Sequence, residues 1–246
     1  GAIGLVGAVC AWYAGRIAGA DKSERPVCVF NGLLSGLFVA HVWIVGVSVV
    51  ALAVLGGVFS GWLTVVFGRL AWSLIRLPIL SLPFALVAML TAAAGRSLST
   101  LIPNAYSAPP DMFGTQVDKF LSALGNFYFM PDPFVGLFVV LVLFIISRYY
   151  IMIAVLGYSS AWLWFELLGA APEHLASTAW DSNAILAALL VGGLFATPSL
   201  LTAALATLAA VLAGWLSLSL GRILDVAHLV PFSTPFIFAS WLVLYA

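Results

Sequence analysis

Residues 26–68 read PVCVFNGLLSGLFVAHVWIVGVSVVALAVLGGVFSGWLTVVFG, a run of 43 residues without Asp, Glu, Lys or Arg. Residues 182–221 form a second uncharged run, of 40 residues. One crossing of a bilayer needs ~20 apolar residues, so each run can supply two crossings, or one crossing and a re-entrant segment. These two runs predict an all-α polytopic membrane protein.

The composition of the whole chain agrees with this prediction and excludes several functions. Of 246 residues, 64% are hydrophobic and 7% are charged, whereas soluble domains carry about 25% charged residues. The 9 basic and 9 acidic residues give a net charge of zero, which excludes a nucleic-acid partner, since binding phosphates requires a basic face. The expected environment is the lipid bilayer.

Neither a catalytic nor a metal-binding motif is legible in the sequence. The two cysteines have no CxxC spacing, and no His, Cys and acidic residues stand at metal-ligand intervals. We therefore expect no enzyme activity, no cofactor and no metal. Pumps and ion-coupled transporters rely on carboxylates or histidines within the membrane, and these are scarce here. The pattern favours a passive path for a small neutral solute.

The chain repeats itself at an interval of about 150 residues, which is the sequence signature of an internal duplication. Asn31 recurs as Asn183, and Pro83-Phe84 as Pro235-Phe236, each at an interval of 152. Other ordered pairs are Gly7, Trp12 and Gly19 with Gly157, Trp162 and Gly169, and Gly61-Trp62-Leu63 with Gly214-Trp215-Leu216. Chance does not produce an ordered series whose interval drifts so little.

The duplication predicts three regions: a first repeat over 1–95, an interfacial linker over 96–116 and a second repeat over 117–246. The first repeat has no equivalent of residues 117–150, so we expect the sequence to be N-terminally incomplete and to lack one crossing. The expected spans are 1–18, 33–55, 57–75, 78–95, 134–150, 151–170, 184–197, 199–220 and 229–246. The short run 184–197 is a candidate half-crossing, and duplicated halves with broken helices are typical of transporters.

Three polar interruptions of the apolar sequence are candidates for lining a solute path. The first is Phe30-Asn31-Gly32-Leu33-Leu34, with Ser182-Asn183-Ala184-Ile185-Leu186 as its second copy. The second is the double-proline segment 77–84, echoed by 230–236, and the third is the segment 125–136. A proline frees a backbone carbonyl one turn earlier, and in lipid that carbonyl needs a polar partner.

These motifs resemble those of the urea transporters, a family of urea-selective channels, over nearly the whole chain. Phe30-Asn31-Gly32-Leu33-Leu34 is similar to the family's Gly-Phe-Asn-x-x-Leu signature, and Trp180 to Phe195 is similar to its second copy. Residues 77–84 resemble the Leu-Pro-x-x-Thr-x-Pro-Phe motif, with Ser81 in the threonine place, and residues 230–236 resemble it with one residue fewer. Residues 125–136 resemble a Gly-Gln-x-x-x-x-x-Asn-Pro-x-Thr-Gly motif.

The resemblance implies two inverted repeats, each of about five transmembrane helices plus a re-entrant half-helix, in a homotrimer with a narrow pore in each protomer. It also implies that urea passes between facing phenylalanines and donates its amide hydrogens to polar acceptors. The path residues carried over by the resemblance are Phe30, Leu34, Ser81, Asn126, Phe129, Ser182, Leu186, Ser233 and Thr234. Asn31, Asn183, Pro83 and Pro235 are carried over as structural motif residues.

The sequence departs from the family pattern at four of these motif positions. Ser182 stands in the place of the second signature Phe, Asn126 in that of Gln or Glu, Asp132 in that of Asn, and Val135 in that of Thr.

The predicted function is passive transport of urea or a similar small amide, and the predicted location is the inner (cell) membrane. The alternatives are a channel for another small solute and a urea-transporter-like subunit of a larger membrane complex. Similar flavin-binding subunits carry a Ser/Thr-rich attachment sequence, which is not found here.

Overall fold

The computed structural model describes residues 1–105, 112–170, 175 and 179–246. It divides the chain into two compact units, unit 1 over Gly1–Tyr106 and unit 2 over Ser107–Ala246. All the elements named in the described residues are helices. In unit 1 these are α1 (Ala2–Ile17), α2 (Arg25–Val42), α3 (Val47–Ile75) and α4 (Leu82–Gly95).

Unit 2 has a comparable set of helices preceded by an additional pair. The additional pair is α5 (Thr115–Gly125), extended by a 3₁₀ turn over Asn126–Tyr128, and α6 (Pro133–Ile146). The remaining helices are α7 (Arg148–Leu167), α8 (Trp180–Ala188) with a π-helical continuation over Leu189–Leu194, α9 (Leu200–Asp225) and α10 (Thr234–Tyr245). Residues 1–105 contain no counterpart of α5 and α6.

The lengths of these helices fit a membrane protein. Among the described residues, α2, α3, α7 and α9 are long and apolar enough to cross a bilayer, and the pair α5–α6, bent by 80°, would make a fifth span. The shorter apolar helices are α1, α4, α8 with its π-helical turn, and α10. The prediction of an all-α polytopic membrane protein is therefore confirmed.

The predicted spans 33–55 and 57–75 are wrong. The structure ends α2 at Val42 and starts α3 at Val47, and α3 then runs unbroken through Gly57 and Gly61 to Ile75. The break falls at 43–46 because the chain there turns to extended backbone, and the Ile44 N–H donates to the carbonyl of Ile102 at 2.8 Å. The other expected spans match helices with shifts at their ends; 184–197, for example, corresponds to a helical segment over Trp180–Leu194.

The glycines that suggested a span boundary instead allow helices to approach closely. A Cβ on Gly57 would lie 2.4 Å from the carbonyl oxygen of Gly7, and one on Gly61 would lie 2.6 Å from that of Ala11. Small residues at such contacts let backbones approach in a membrane, where dispersion forces rather than hydrophobicity hold helices together. α1 and α3 are therefore packed backbone to backbone.

A network of hydrogen bonds and one salt bridge stabilises the loop between α1 and α2. The Arg69 guanidinium bonds Glu24 at 3.1 Å and the carbonyl of Gly19 at 2.7 Å. The Ser23 hydroxyl, followed by the backbone N–H groups of Glu24 and Ser23, donates to Asp21 and holds the pKa of that carboxyl below its ordinary value. This network ties the turn after α1 to α3.

Candidate functional site

The first signature asparagine, Asn31, joins α2 to the segment that precedes α4. Its Nδ2 donates to the carbonyl of Val27 at 3.0 Å and to that of Leu80 at 3.1 Å. Its Oδ1 accepts from the N–H of Phe84 at 3.0 Å. The side chain is fully buried, and these three bonds satisfy both amide hydrogens and the oxygen.

Asn31 also completes the N-terminus of α4, where the first N–H groups of a helix lack intrahelical partners. The N–H of Leu82 donates to Ile79 and that of Ala85 to Ser81. Pro83 has no N–H to satisfy, and the N–H of Phe84 is the one that Asn31 accepts. Asn31 and Pro83 together therefore leave no N–H group without a hydrogen-bond partner at the start of α4, which lies inside an apolar protein.

Unit 2 repeats this arrangement bond for bond. The Asn183 Nδ2 donates to Ala179 and Phe232, both at 3.0 Å, and its Oδ1 accepts from Phe236 at 3.3 Å. Every one of these partners lies 152 positions after its counterpart in unit 1. Asn31, Asn183, Pro83 and Pro235 thus occupy equivalent environments, as a duplication predicts.

The backbone before α4 and α10 repeats as well. Arg76 and Leu80 have φ of 57° and 55°, and their counterparts His228 and Phe232 have φ of 54° and 49°. Residues other than glycine seldom adopt this left-handed conformation, and it costs about 1–3 kcal/mol where it is held. At Leu80 and Phe232 it coincides with the carbonyl that the signature asparagine binds.

The second copy of the double-proline motif is not one residue shorter. The asparagine bonds and the left-handed residues align 77–84 with 229–236 without a gap, so Ser81 corresponds to Ser233. Both serines are N-cap residues, of α4 and α10 respectively. Pro78 and Pro231 are consequently not equivalent, and Thr234 corresponds to Leu82.

The structure places three of the candidate path residues in unit 1. Phe30 is 45% exposed on α2, whereas Leu34, one turn along the same helix, is buried. Ser81 is buried at the start of α4. Phe30 is the one whose side chain is accessible.

The other six candidate path residues lie in unit 2. Ser182 and Leu186 are on α8, Ser233 and Thr234 are at the start of α10, and Asn126 and Phe129 follow α5. The Thr234 hydroxyl donates a hydrogen bond to the carbonyl of Pro231, three residues earlier, at 2.7 Å. Phe129 has φ of 60° and ends the 3₁₀ turn.

Two of these six, Asn126 and Ser182, are brought into contact by the fold. The Asn126 Nδ2 donates to the Ser182 Oγ at 3.1 Å. The Ser182 hydroxyl lies 3.0 Å from the carbonyl oxygen of Ala123, so α5 covers the first turn of α8. Ser182 is 6% exposed, in contrast to its counterpart Phe30 at 45%.

Sequence reasoning missed Asp181, which belongs to the same cluster. Its Oδ1 lies 3.3 Å from the Ser182 hydroxyl and accepts the Ser182 N–H at 2.7 Å. The available signal was a carboxylate directly before a long uncharged run, since charges in apolar segments mark functional sites. The described residues contain no group of His, Cys, Asp and Glu that could hold a metal.

Fold and motif together define an integral membrane protein of two helical units, and in each unit an asparagine joins one helix to the start of a helix that begins with proline. The profile of the urea transporter family matches residues 1–246, the whole chain. The chain belongs to the urea transporter family. The family consists of passive transporters, so the protein serves urea transport across a membrane and is not an enzyme.

Proposed function

We propose that the protein is a passive, channel-like conductor of urea or a similar small amide through a narrow path. The observation that carries this proposal is the family match over the whole chain, combined with the two equivalent asparagine-centred motifs. The uncharged runs 26–68 and 182–221 support passive conduction, since coupling to an ion gradient requires titratable groups in the membrane.

The proposed path is lined by residues of the two motifs and of the segment after α5. These are Phe30, Leu34, Ser81, Asn126, Phe129, Ser182, Leu186, Ser233 and Thr234. An aromatic ring replaces the hydration of urea's faces, and in-plane acceptors replace its water partners. We place this path at the interface of the two repeats.

Urea flux into liposomes carrying the purified protein, followed by stopped-flow light scattering, tests the proposal. We expect equilibration faster than in empty liposomes, at a rate that is unchanged when proton or sodium gradients are imposed or collapsed. A flux that disappears with an ionophore at a constant urea gradient would overturn the passive mechanism. Equal rates in empty and loaded liposomes would overturn urea conduction itself.

We also propose that the two repeats, 1–95 and 117–246 joined by the linker 96–116, have opposite orientations in the membrane. The repeated bonds of Asn31 and Asn183 support the duplication, and the division of the chain between Tyr106 and Ser107 falls inside this linker. Ser73 near the end of α3 and Val226 after α9 lie at equivalent, exposed positions. In Ser73→Cys and Val226→Cys, a membrane-impermeant thiol reagent should label one from outside and the other only from inside. The parent chain, with Cys10 and Cys28 alone, gives the background.

The proposed assembly is a homotrimer in the inner (cell) membrane. It is supported by the family and by the many large apolar side chains exposed on α3, α6 and α9. Light scattering on the detergent-solubilised protein measures the mass of the assembly, which is compared with the protomer mass of 26.0 kDa.

A second candidate function, conduction of a different small solute, is favoured by one observation: Asp181 and Ser182 stand where unit 1 has Val29 and Phe30.

A further inference from the structure

One end of unit 1 carries most of the basic residues of the chain. It is formed by the connection from α1 to α2, residues 18–24, and by the C-terminal end of α3. Arg69 of α3 joins the two parts, because it bonds Glu24 at 3.1 Å and the carbonyl of Gly19 at 2.7 Å. Five of the 9 Lys and Arg residues of the chain lie at this end, which we call the basic end of unit 1: Arg16, Lys22, Arg25, Arg69 and Arg76.

The acidic residues at the basic end do not cancel this charge. There are two of them, Asp21 and Glu24. Glu24 pairs with Arg69, and Asp21 accepts the Ser23 hydroxyl at 2.7 Å and two backbone N–H groups of its own turn. Five positive and two negative side chains leave a net charge of +3 at an end of a chain whose total charge is zero.

Three of the basic side chains are available to a partner in the surroundings. Arg16, Lys22 and Arg76 are all exposed. In the part of the chain that the structure describes, the one salt bridge is that of Arg69 with Glu24. The three exposed cations therefore have no described carboxylate to neutralise them.

Two of these cations lie beside tryptophan rings. The guanidinium carbon of Arg16 is 5.0 Å from the ring centroid of Trp12, and that of Arg76 is 5.9 Å from the ring centroid of Trp72. Each arginine follows its tryptophan by four residues, at the C-terminal end of a membrane helix. Tryptophan is enriched at the level of the lipid headgroups, and arginine extends its charge to that level while its stem stays in apolar surroundings.

The equivalent end of unit 2 does not have this charge. The counterparts of Arg16 and Arg76 are Glu166 and His228, and residues 167–180 contain neither Lys nor Arg. Only one of the five positions keeps an arginine or lysine in unit 2. The positive charge is therefore not required by the helical arrangement that the two units share.

We propose that the basic end of unit 1 binds the anionic headgroups of phospholipids and lies at the cytoplasmic leaflet. Anionic lipids attract Lys and Arg close to the membrane surface, and cytoplasmic loops of membrane proteins carry an excess of these residues. Exposed cations beside interfacial tryptophans are complementary to such headgroups in charge and in depth. The inference concerns the membrane contact of the protein and holds whichever solute the protein conducts.

The test measures thermal unfolding of the protein in a neutral detergent, titrated with phosphatidylglycerol or with zwitterionic phosphatidylcholine. We expect phosphatidylglycerol to raise the unfolding temperature of the wild type at the lower concentration, and about 1 M salt to abolish the difference. In the triple variant Arg16→Gln, Lys22→Gln and Arg76→Gln, the half-maximal phosphatidylglycerol concentration should rise by about tenfold or more. These substitutions leave the Arg69–Glu24 pair in place.

The matched control removes three positive charges from exposed positions outside the basic end: Arg96→Gln, Arg148→Gln and Arg222→Gln. It should change the half-maximal phosphatidylglycerol concentration much less. An equal change in the two triple variants, or a wild type that responds alike to both lipids, overturns the headgroup site. Inorganic phosphate is the probe for a free anion. If it stabilises the wild type as phosphatidylglycerol does, the assignment to lipid is wrong.

The location at the cytoplasmic leaflet is tested in intact cells. Ser73 lies near the end of α3 at the basic end, and Ser97 follows α4 at the end where α2 also stops; both are exposed. A membrane-impermeant thiol reagent should label Ser97→Cys from outside and Ser73→Cys only after the cells are permeabilised. The parent chain, with its two cysteines, gives the background. Labelling of Ser73→Cys in intact cells overturns the cytoplasmic location.

Discussion

The helix pairs α1–α2 and α7–α8 occupy equivalent places in the two units but differ in packing at one contact. Gly15 and Cys28 meet in unit 1, where a Cβ on Gly15 would lie 2.9 Å from the Cys28 sulfur. Their counterparts are Phe165 and Trp180, whose rings meet edge to face with centroids 5.1 Å apart. At this contact unit 1 uses two small residues and unit 2 uses two rings, although Gly157 also brings α7 close to Ala184 and Ala188 of α8.

This difference shows which parts of a duplicated unit are fixed by chemistry and which are free to change. The asparagine bonds are retained because a buried helix start with unsatisfied N–H groups is costly in an apolar protein. The packing pair is free to change because a helix contact in a membrane needs only that the volumes match. A small pair and an aromatic pair both meet that condition.

The largest effect is expected from removing either signature asparagine. Asn31→Ala and Asn183→Ala each leave a buried N–H and at least one buried carbonyl without a partner, so each should destabilise the protein by about 3–5 kcal/mol. Thermal unfolding in detergent measures the loss. Asn104→Ala is the control, because Asn104 is exposed and makes one side-chain bond of 3.3 Å. A marked difference between the two signature variants would show that the two motifs are not energetically equivalent.

A smaller effect is expected from the equivalent glycines Gly61 and Gly214, and it distinguishes the two kinds of packing. A Cβ on Gly61 would lie 2.6 Å from a backbone oxygen of α1, whereas one on Gly214 would lie 3.2 Å from the Phe165 ring. Gly61→Ala should therefore cost about 1–3 kcal/mol as overpacking. Gly214→Ala should be close to neutral, since the ring has room to adjust. The same unfolding measurement compares the two; equal losses would contradict backbone-to-backbone packing in unit 1.

The smallest effect on stability is expected where the motif residues themselves differ. Phe30→Ser removes a ring that is 45% exposed, so it should change stability by less than about 1 kcal/mol and act mainly on solute flux. Ser182→Phe forces a ring into a site that is 6% exposed and bonded to Asn126 and Ala123, and should cost more. Thermal unfolding and urea flux, measured on both variants, test these two expectations. A stable Ser182→Phe protein would show that the first turn of α8 has an open side.

The structure changes how Ser182 is interpreted. From the sequence, the missing ring at this position opens one wall of a slot. In the structure α5 covers the position, and no residue pattern within α8 reveals that contact because it depends on a helix about 60 residues earlier.

The sequence by itself determined the membrane class and the family and predicted the duplication, because each depends on order along the chain: uncharged runs, two motifs and a repeated interval. Asn31 and Asn183 were recognised as equivalent for the same reason. Their function as partners for the starts of α4 and α10 came only from the tertiary structure, since it joins residues about 50 positions apart.

The tertiary structure also decided where helices break and which polar groups meet. The uncharged run 26–68 has no charged residue that marks its true break, and α2 ends at Val42 because the linker pairs with Trp43 there. Ser182 meets its hydrogen-bond partner Asn126 only in the folded protein, because Asn126 follows a different helix, α5. Apolar patterning specifies that a helix lies in the membrane, but contacts between distant segments specify where it ends and what it presents to a solute.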